Sequence, residues 1–292
     1  MAYGLDHIVH AVRDLDAAAE FYGRAGFTVG GRNRHPWGTH NYIVQFPGVF
    51  IELLGVGEPD LMTAAAPGGT FSFAGFTSDF LARDQGLAML ALEGRGAAAD
   101  AESFRAAGIG AFEVFDFERQ AKRPDGSIVK VAFSLAFAAD PKTPDAGYFT
   151  CQQHYPENFW NPAFQLHPNG VSGIAEVIMV SEKPEDHVYF LGAFSAVREI
   201  DSNAGGFSIR TERGDIRVMN PAAYRAYCGT EPPNLSRGAR FAAMRFVMGD
   251  KATAISVLQK GGVAIIERDC GMVVPGDVAF GATLIFDDTK VG

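Results

Sequence analysis

The stretch "GLDHIVHAVRDLDAAAEFYGRAGFTVGG", residues 4–31, reads as a strand, a helix and a second strand, and carries a histidine inside the first strand. In "LDHIVHAV" (5–12), strand alternation puts His7 on one face with Val9 and Ala11, and turns His10 to the helix side, where no function is assigned to it. Asp14 suits a helix N-cap. Leu15, Ala18, Tyr22 and Ala25 follow at the three-and-four spacing of one buried face, and Gly26 ends the helix. Three β-like runs come next, "FTVGG", "HNYIVQF" and "VFIELLGV", the last two joined by a hairpin at Pro47-Gly48. The unit is β-α-β-β-β.

That unit recurs, with drift, four times. The second copy starts at "GLAMLAL" (86–92) and continues through "AAADAESFRAAGI" to strands at "FEVFDFERQ", "SIVKVAFSLAFA" and "GYFTCQQHY". "GIAEVIMV" (173–180) opens the third, with a helix near "PEDHVYFLGAF" and strands near Val197–Ile200, Phe207–Thr211 and Asp215–Met219. The fourth runs from "FAAMRFVM" (241–248) through "KATAISVLQKGG" to "VAIIER", "GMVVP" and "ATLIFDD". The helix ends "RAGF", "RAAGI" and "QKGGV" echo one another. One face of such a sheet is covered by its helix and the other lies open, so two copies must pair their open faces around a shared cavity. The expectation is an α+β fold of four such units in two domains with curved mixed sheets, 1–165 and 166–292, joined in the turn-rich "NFWNPAFQLHPNGVSG" (158–173).

Composition narrows the partners. The 292 residues are 47% hydrophobic and 20% charged, which excludes disorder as the dominant state. A net charge of −9 disfavours nucleic acid and anionic membranes as partners and leaves a small molecule as the expected one; a homodimer is compatible with the pattern. The three cysteines are scattered and form no CxxC pair, no basic leader precedes an apolar run, and no run spans a bilayer; the expectation is a cytoplasmic protein. Dinucleotide, P-loop and nucleophile-elbow motifs are missing, and Cys151 reads as an inert thiol among apolar neighbours.

The repeated unit, the "LDHIVHAV…DLDAAAEFYGRAGF" opening, "GTHN" (38–41) and "FIELLGV" (50–56) resemble the vicinal oxygen chelate superfamily and, within it, the glyoxalase-like domain proteins. The resemblance is clearest over residues 4–56 and weakest in the second half. It implies a divalent metal ion (Fe, Mn, Zn, Ni or Co) acting as a Lewis acid on neighbouring substrate oxygens, in a lyase, isomerase or dioxygenase. In the family pattern the first strand of a unit supplies a His and the last a Glu, here His7 and Glu52; the alternative is that each has an ordinary structural partner. A carboxylate between Phe50 and Leu54 would cost several kcal/mol without a cation or other partner. In the second unit Met89 takes the His7 position and Gln152 about the Glu52 position, with His154 two residues on; His7, Glu52 and His154 then form the expected metal set, and Gln152 a substrate contact. His40 is the candidate catalytic imidazole and Trp37 a candidate apolar lid over substrate. The third and fourth units offer Ala175 and Ala243, with Arg217 or Val218 and Leu284 or Ile285, so no site is expected there; Glu176 would face away unless a bulge intervenes. The 24 phenylalanines favour an aromatic or acyl substrate. The resemblance also admits a second function, metal-free sequestration of a small molecule, as in the bleomycin-resistance proteins.

Overall fold

In the computed structural model, which describes residues 3–62, 70–122 and 126–287, the chain folds as two eight-stranded mixed sheets with helices. The first unit comprises β1 (Leu5–Ala11), α1 (Leu15–Arg24), β2 (Asn33–Arg34), β3 (Thr39–Phe46) and β4 (Val49–Val56). A helix α2 (Phe73–Arg83) leads to the second: β5 (Gly86–Glu93), α3 (Ala97–Ala106), β6 (Phe115–Lys122), β7 (Ile128–Ala138) and β8 (Gly147–Gln153). After a short α4 (Pro156–Phe159), the third unit is β9 (Val171–Val180), α5 (Val188–Ser195), β10 (Asp201–Asn203), β11 (Gly206–Ile209) and β12 (Asp215–Met219). A helix α6 (Pro221–Cys228) precedes the fourth: β13 (Arg240–Met248), α7 (Lys251–Lys260), β14 (Ile266–Arg268), β15 (Gly271–Val274) and β16 (Thr283–Asp287). The first sheet runs β2-β3-β4-β1-β5-β8-β7-β6 and the second repeats that order from β10 to β14. In each, the two units meet at a central antiparallel pair, β1 with β5 and β9 with β13. No described helix is long and apolar enough to cross a membrane.

Local chemistry explains the elements. The Asp14 carboxylate accepts from the Ala17 amide at 2.9 Å, capping α1, whose Leu15, Ala18, Phe21 and Tyr22 are buried. Burying Phe21 and Tyr22 contributes about 2 kcal/mol each. Gly26 follows at φ +82°, a left-handed position where a Cβ would also strike Val257 and Asn169 of the other half. "FTVGG" forms no strand: the Thr28 amide donates to His167 Nδ1 (2.9 Å) and its hydroxyl to Leu166 O (2.6 Å), and apart from a single Gly30 N to Ile43 O bond (2.8 Å) the ladder with β3 begins at Asn33. In the third unit the first return strand is Asp201–Asn203, just beyond the expected 197–200.

The helix-bearing faces of the two sheets share one core, with Phe27 against Phe246 (5.2 Å) and Tyr148 against Phe241 (5.6 Å). The opposite, concave faces form two cups. Helices α2 and α6, which the sequence pattern did not announce, each follow the first unit of a sheet and pack into that sheet's cup: Phe73, Phe80 and Leu81 into the first, Tyr224 and Cys228 into the second.

Candidate functional site

Pairing register decides which side chains converge in the first cup. His7 lies opposite Phe50 on β4 and opposite Ala91 on β5, and Glu52 stands two residues beyond Phe50. Strand spacing and rise put such diagonal Cα atoms about 8 Å apart, within reach of a shared ligand between the side chains. Across the centre, Ala91 lies opposite Phe149 and Cys151 stands two residues beyond. The unit-to-unit correspondence therefore pairs His7 with Ala91 and Glu52 with Cys151, in place of the Met89 and Gln152 expected from aligned helix ends.

His7, Glu52 and Cys151 line one cavity with His35, Asn41, Arg119 and an aromatic wall that includes Trp37, Phe73, Phe117 and Phe149. His7 is buried, its ring stacked on Phe50 at 4.3 Å. A bulge in β1 turns Asp6 to the same side, and His7 Nδ1 donates to Asp6 Oδ1 at 2.5 Å, which leaves the Nε2 edge as the free one. Gln153 Nε2 donates to the other Asp6 oxygen at 3.0 Å. Glu52 Oε1 accepts from Asn41 Nδ2 at 2.5 Å and lies 3.7 Å from His35 Nε2. His35 pairs Nδ1 with the Thr39 hydroxyl (2.9 Å) and stacks on Trp37 at 4.6 Å. Burial pulls its pKa down to about 4, against the pull of Glu52, so the ring is neutral at pH 7. Burial, with the carboxylates of Asp6 and Glu52, pushes the Cys151 thiol well up.

Of the sequence candidates, His7, Glu52 and Trp37 line the cavity and Gln152, His154 and His40 do not. On β8 the cavity face is Phe149, Cys151 and Gln153, the reverse of the phase expected. Gln152 points to the helix side, where its Oε1 accepts from Ala97 N at 3.0 Å. His154 is exposed beyond the strand end, its Nε2 2.7 Å from the Ser134 hydroxyl. His40 faces α1 and accepts from Arg32 Nε at 3.1 Å, while its neighbour Asn41 takes the cavity face. Burial and the adjacent Arg32 and Arg34 pull the His40 pKa down. Asp6, His35, Asn41, Cys151, Gln153 and Arg119 are the site residues that sequence reading passed over. A buried Asp beside His7 was the available signal, because such a carboxylate requires a partner.

The donor chemistry fits a metal ion with a diminished ligand set. Asp6, His7 and Cys151 each bring a ligand atom within 4.8 Å of the others, and Glu52 shares their cavity. The fourth convergent position, Ala91, supplies only a methyl group.

The second cup carries a different set. By the same register its four positions are Glu176, Arg217, Arg245 and Asp287. Glu176 faces inward because a bulge does intervene, at Ala175 of β9 beside it. It meets Arg217 Nε at 3.0 Å and Arg245 Nε at 3.5 Å, and Arg245 Nη1 meets Asp287 at 3.0 Å. Two acids and two guanidiniums neutralise one another where the first cup converges metal-type donors.

A family model described as a glyoxalase-like domain matches residues 5–193. No curated protein matches the chain at a significant level. Among solved structures, a hypothetical protein from Staphylococcus aureus is similar at 16% identity and TM-score 0.68, over 98% of this chain and 99% of that one. A mutant of 4-hydroxymandelate synthase from Streptomyces coelicolor is similar at 13% identity and TM-score 0.54, over 94% and 78%. The Mn(II)-bound glyoxalase from Novosphingobium aromaticivorans is similar at 11% identity and TM-score 0.56, over 99% and 83%. At these identities the likeness is one of fold.

Proposed function

Because the chain belongs to the glyoxalase-like domain family, we propose that it is a metal-dependent enzyme of the vicinal oxygen chelate type, a lyase, isomerase or dioxygenase acting on a small, partly apolar molecule with adjacent oxygens. The observation that carries this reading is the convergence of His7 and Cys151, with Asp6 behind them and Glu52 on the same face, in a cavity otherwise aromatic. His7 through Nε2, Cys151 through Sγ and Glu52 through its carboxylate would hold the ion. The ion would act as a Lewis acid toward two neighbouring substrate oxygens.

The chain's own residues do the rest. Asp6 fixes the His7 tautomer and ring plane, and Gln153 fixes Asp6. Asn41 orients Glu52. His35, neutral and stacked on Trp37, presents Nε2 toward Glu52, where it can take or return a proton. The aromatic wall excludes water and strengthens each of these polar interactions.

The test is metal analysis of purified and reconstituted protein with Co(II) as a probe. The wild type should bind about one equivalent and show a thiolate-to-cobalt absorption that Cys151→Ser abolishes, and His7→Ala and Glu52→Ala should each lose most of the metal. Equal, negligible metal in wild type and variants refutes the reading. The methyl group at Ala91 favours a second one, metal-free sequestration of a hydrophobic ligand. It predicts a rise in Tm with such a ligand in metal-stripped protein.

A further inference from the structure

The inner cavity opens into a larger, more polar cleft lined by residues 30–34, Gln45, Gln120, Glu157 and residues 158–162, and Ile43, Arg119 and Phe159 belong to both. Arg119 is carried on β6 in alternation with Phe115 and Phe117, so its stem follows the aromatic wall and its guanidinium reaches the junction. The other arginines of the cleft are engaged: Arg32 pairs with Asp16, and Arg34 with Glu58. Arg119 has no carboxylate within ion-pair distance among the described residues. Among the described residues its guanidinium makes one hydrogen bond, a long contact of Nη1 with Gln120 O at 3.4 Å. The charge it feels is Glu52 inside the cavity, and burial lowers its pKa without displacing it from the charged form.

A half-buried guanidinium with no ion-paired carboxylate among the described residues costs solvation that a bidentate carboxylate would restore. Around it the walls are flat. Trp37 lies nearly parallel to Phe73 at 5.3 Å and 15°, and Phe117 to Phe133 at 5.0 Å and 22°, surfaces suited to an aromatic ring. We propose that Arg119 is the carboxylate anchor of this cavity and that the substrate class is an aromatic carboxylate, its ring among the phenylalanines and its acid group at the junction. This rests on the reading of the first cup as the substrate site. It adds a charge requirement which that reading lacks.

The experiment is calorimetric titration with phenylacetate and its neutral counterpart phenylacetamide, on protein stripped with EDTA and on Mn(II)-loaded protein, for the wild type, Arg119→Gln and Arg119→Lys. The wild type should prefer the acid by tenfold or more in both forms. Arg119→Gln should equalise the two ligands through loss of acid affinity with amide affinity kept, and Arg119→Lys should retain part of the preference. Because β6 is an edge strand, circular dichroism of the variants should match the wild type. Equal affinities for acid and amide in the wild type, or no binding of either at millimolar concentration, overturn the inference. So does a preference that survives Arg119→Gln and vanishes on metal removal; the metal then reads the carboxylate, and the proposed function stands while this inference falls.

Discussion

His10 supplies a prediction whose size can be worked out. The residue is fully buried between the halves: the Tyr22 hydroxyl meets Nδ1 at 3.0 Å, and Nε2 donates to Phe280 O at 2.9 Å. Burial is the main cause of a pKa pulled down to about 4 from 6.5. Unfolded, the imidazole takes a proton below pH 6.5, whereas folded it resists until about pH 4, so between these values the unfolded state binds more protons and stability falls as pH falls. Above about pH 7 this contribution is flat. Between pH 7 and 4.5 the two pKa values give a loss of about 2 kcal/mol from this one group. The perturbation is His10→Gln, which cannot titrate. Urea unfolding at pH 7 and 4.5 gives two stabilities for each protein; the variant starts lower, because hydrogen bonds are lost, but its decline on acidification should be smaller by about 2 kcal/mol. Subtraction removes the other histidines. Parallel declines would show that His10 is protonated in the folded state as easily as in the unfolded, and would refute the burial argument.

Three further outcomes follow from contacts in the two cups. Asp6→Asn keeps the shape but weakens the hold on the His7 tautomer, so metal affinity read by competition with a chelator should fall about 10- to 100-fold with little change in Tm of the metal-free protein. Glu176→Ala leaves Arg245 buried and half compensated, which should cost about 3 kcal/mol in chemical denaturation, while ligand binding in the first cup stays unchanged. Trp37→Ala removes a ring stacked on both His35 and Phe73, and affinity for an aromatic ligand should drop about tenfold, measured by the same titration as for Arg119.

The first unit was legible because its signals are local. Asp14 caps, Gly26 terminates, and the buried face of α1 repeats at helical spacing, so the β-α-β-β-β unit could be read and matched to its copies. Helices α2 and α6 were passed over although each carries a cap: the Ser72 hydroxyl accepts from Gly75 N, and the Asn220 side chain from Ala223 N just after Pro221. They lie between copies of the repeat, where periodicity had nothing to align. The site was half legible for a different reason. Which face of β8 looks into the cup depends on its pairing with β5, a long-range register that "GYFTCQQHY" does not encode locally, and a one-residue error exchanges Cys151 and Gln153 for Gln152 and His154. Bulges at Asp6 in β1 and at Ala175 in β9 shift the convergent positions again, which is why Asp6 and Glu176 point inward.

The two cups face one electrostatic problem and answer it differently. Each turns two carboxylates toward its concave side, Glu176 and Asp287 in the second, Asp6 and Glu52 in the first. In the second cup two guanidiniums stand among them within salt-bridge distance, so the charge balances inside the protein and α6 can close over it. In the first, the cation among the described residues lining the cavity is Arg119, toward the mouth, and His35 is held neutral by burial. The inner end of that cup is therefore short of positive charge where Asp6, His7 and Cys151 converge with Glu52 in the same cavity, and at the mouth the Arg119 guanidinium has no ion-paired carboxylate among the described residues. A divalent ion below and a carboxylate above would correct both, which is the physical reason to expect the two ligands in one cavity and to expect that each raises the affinity for the other's partner oxygens.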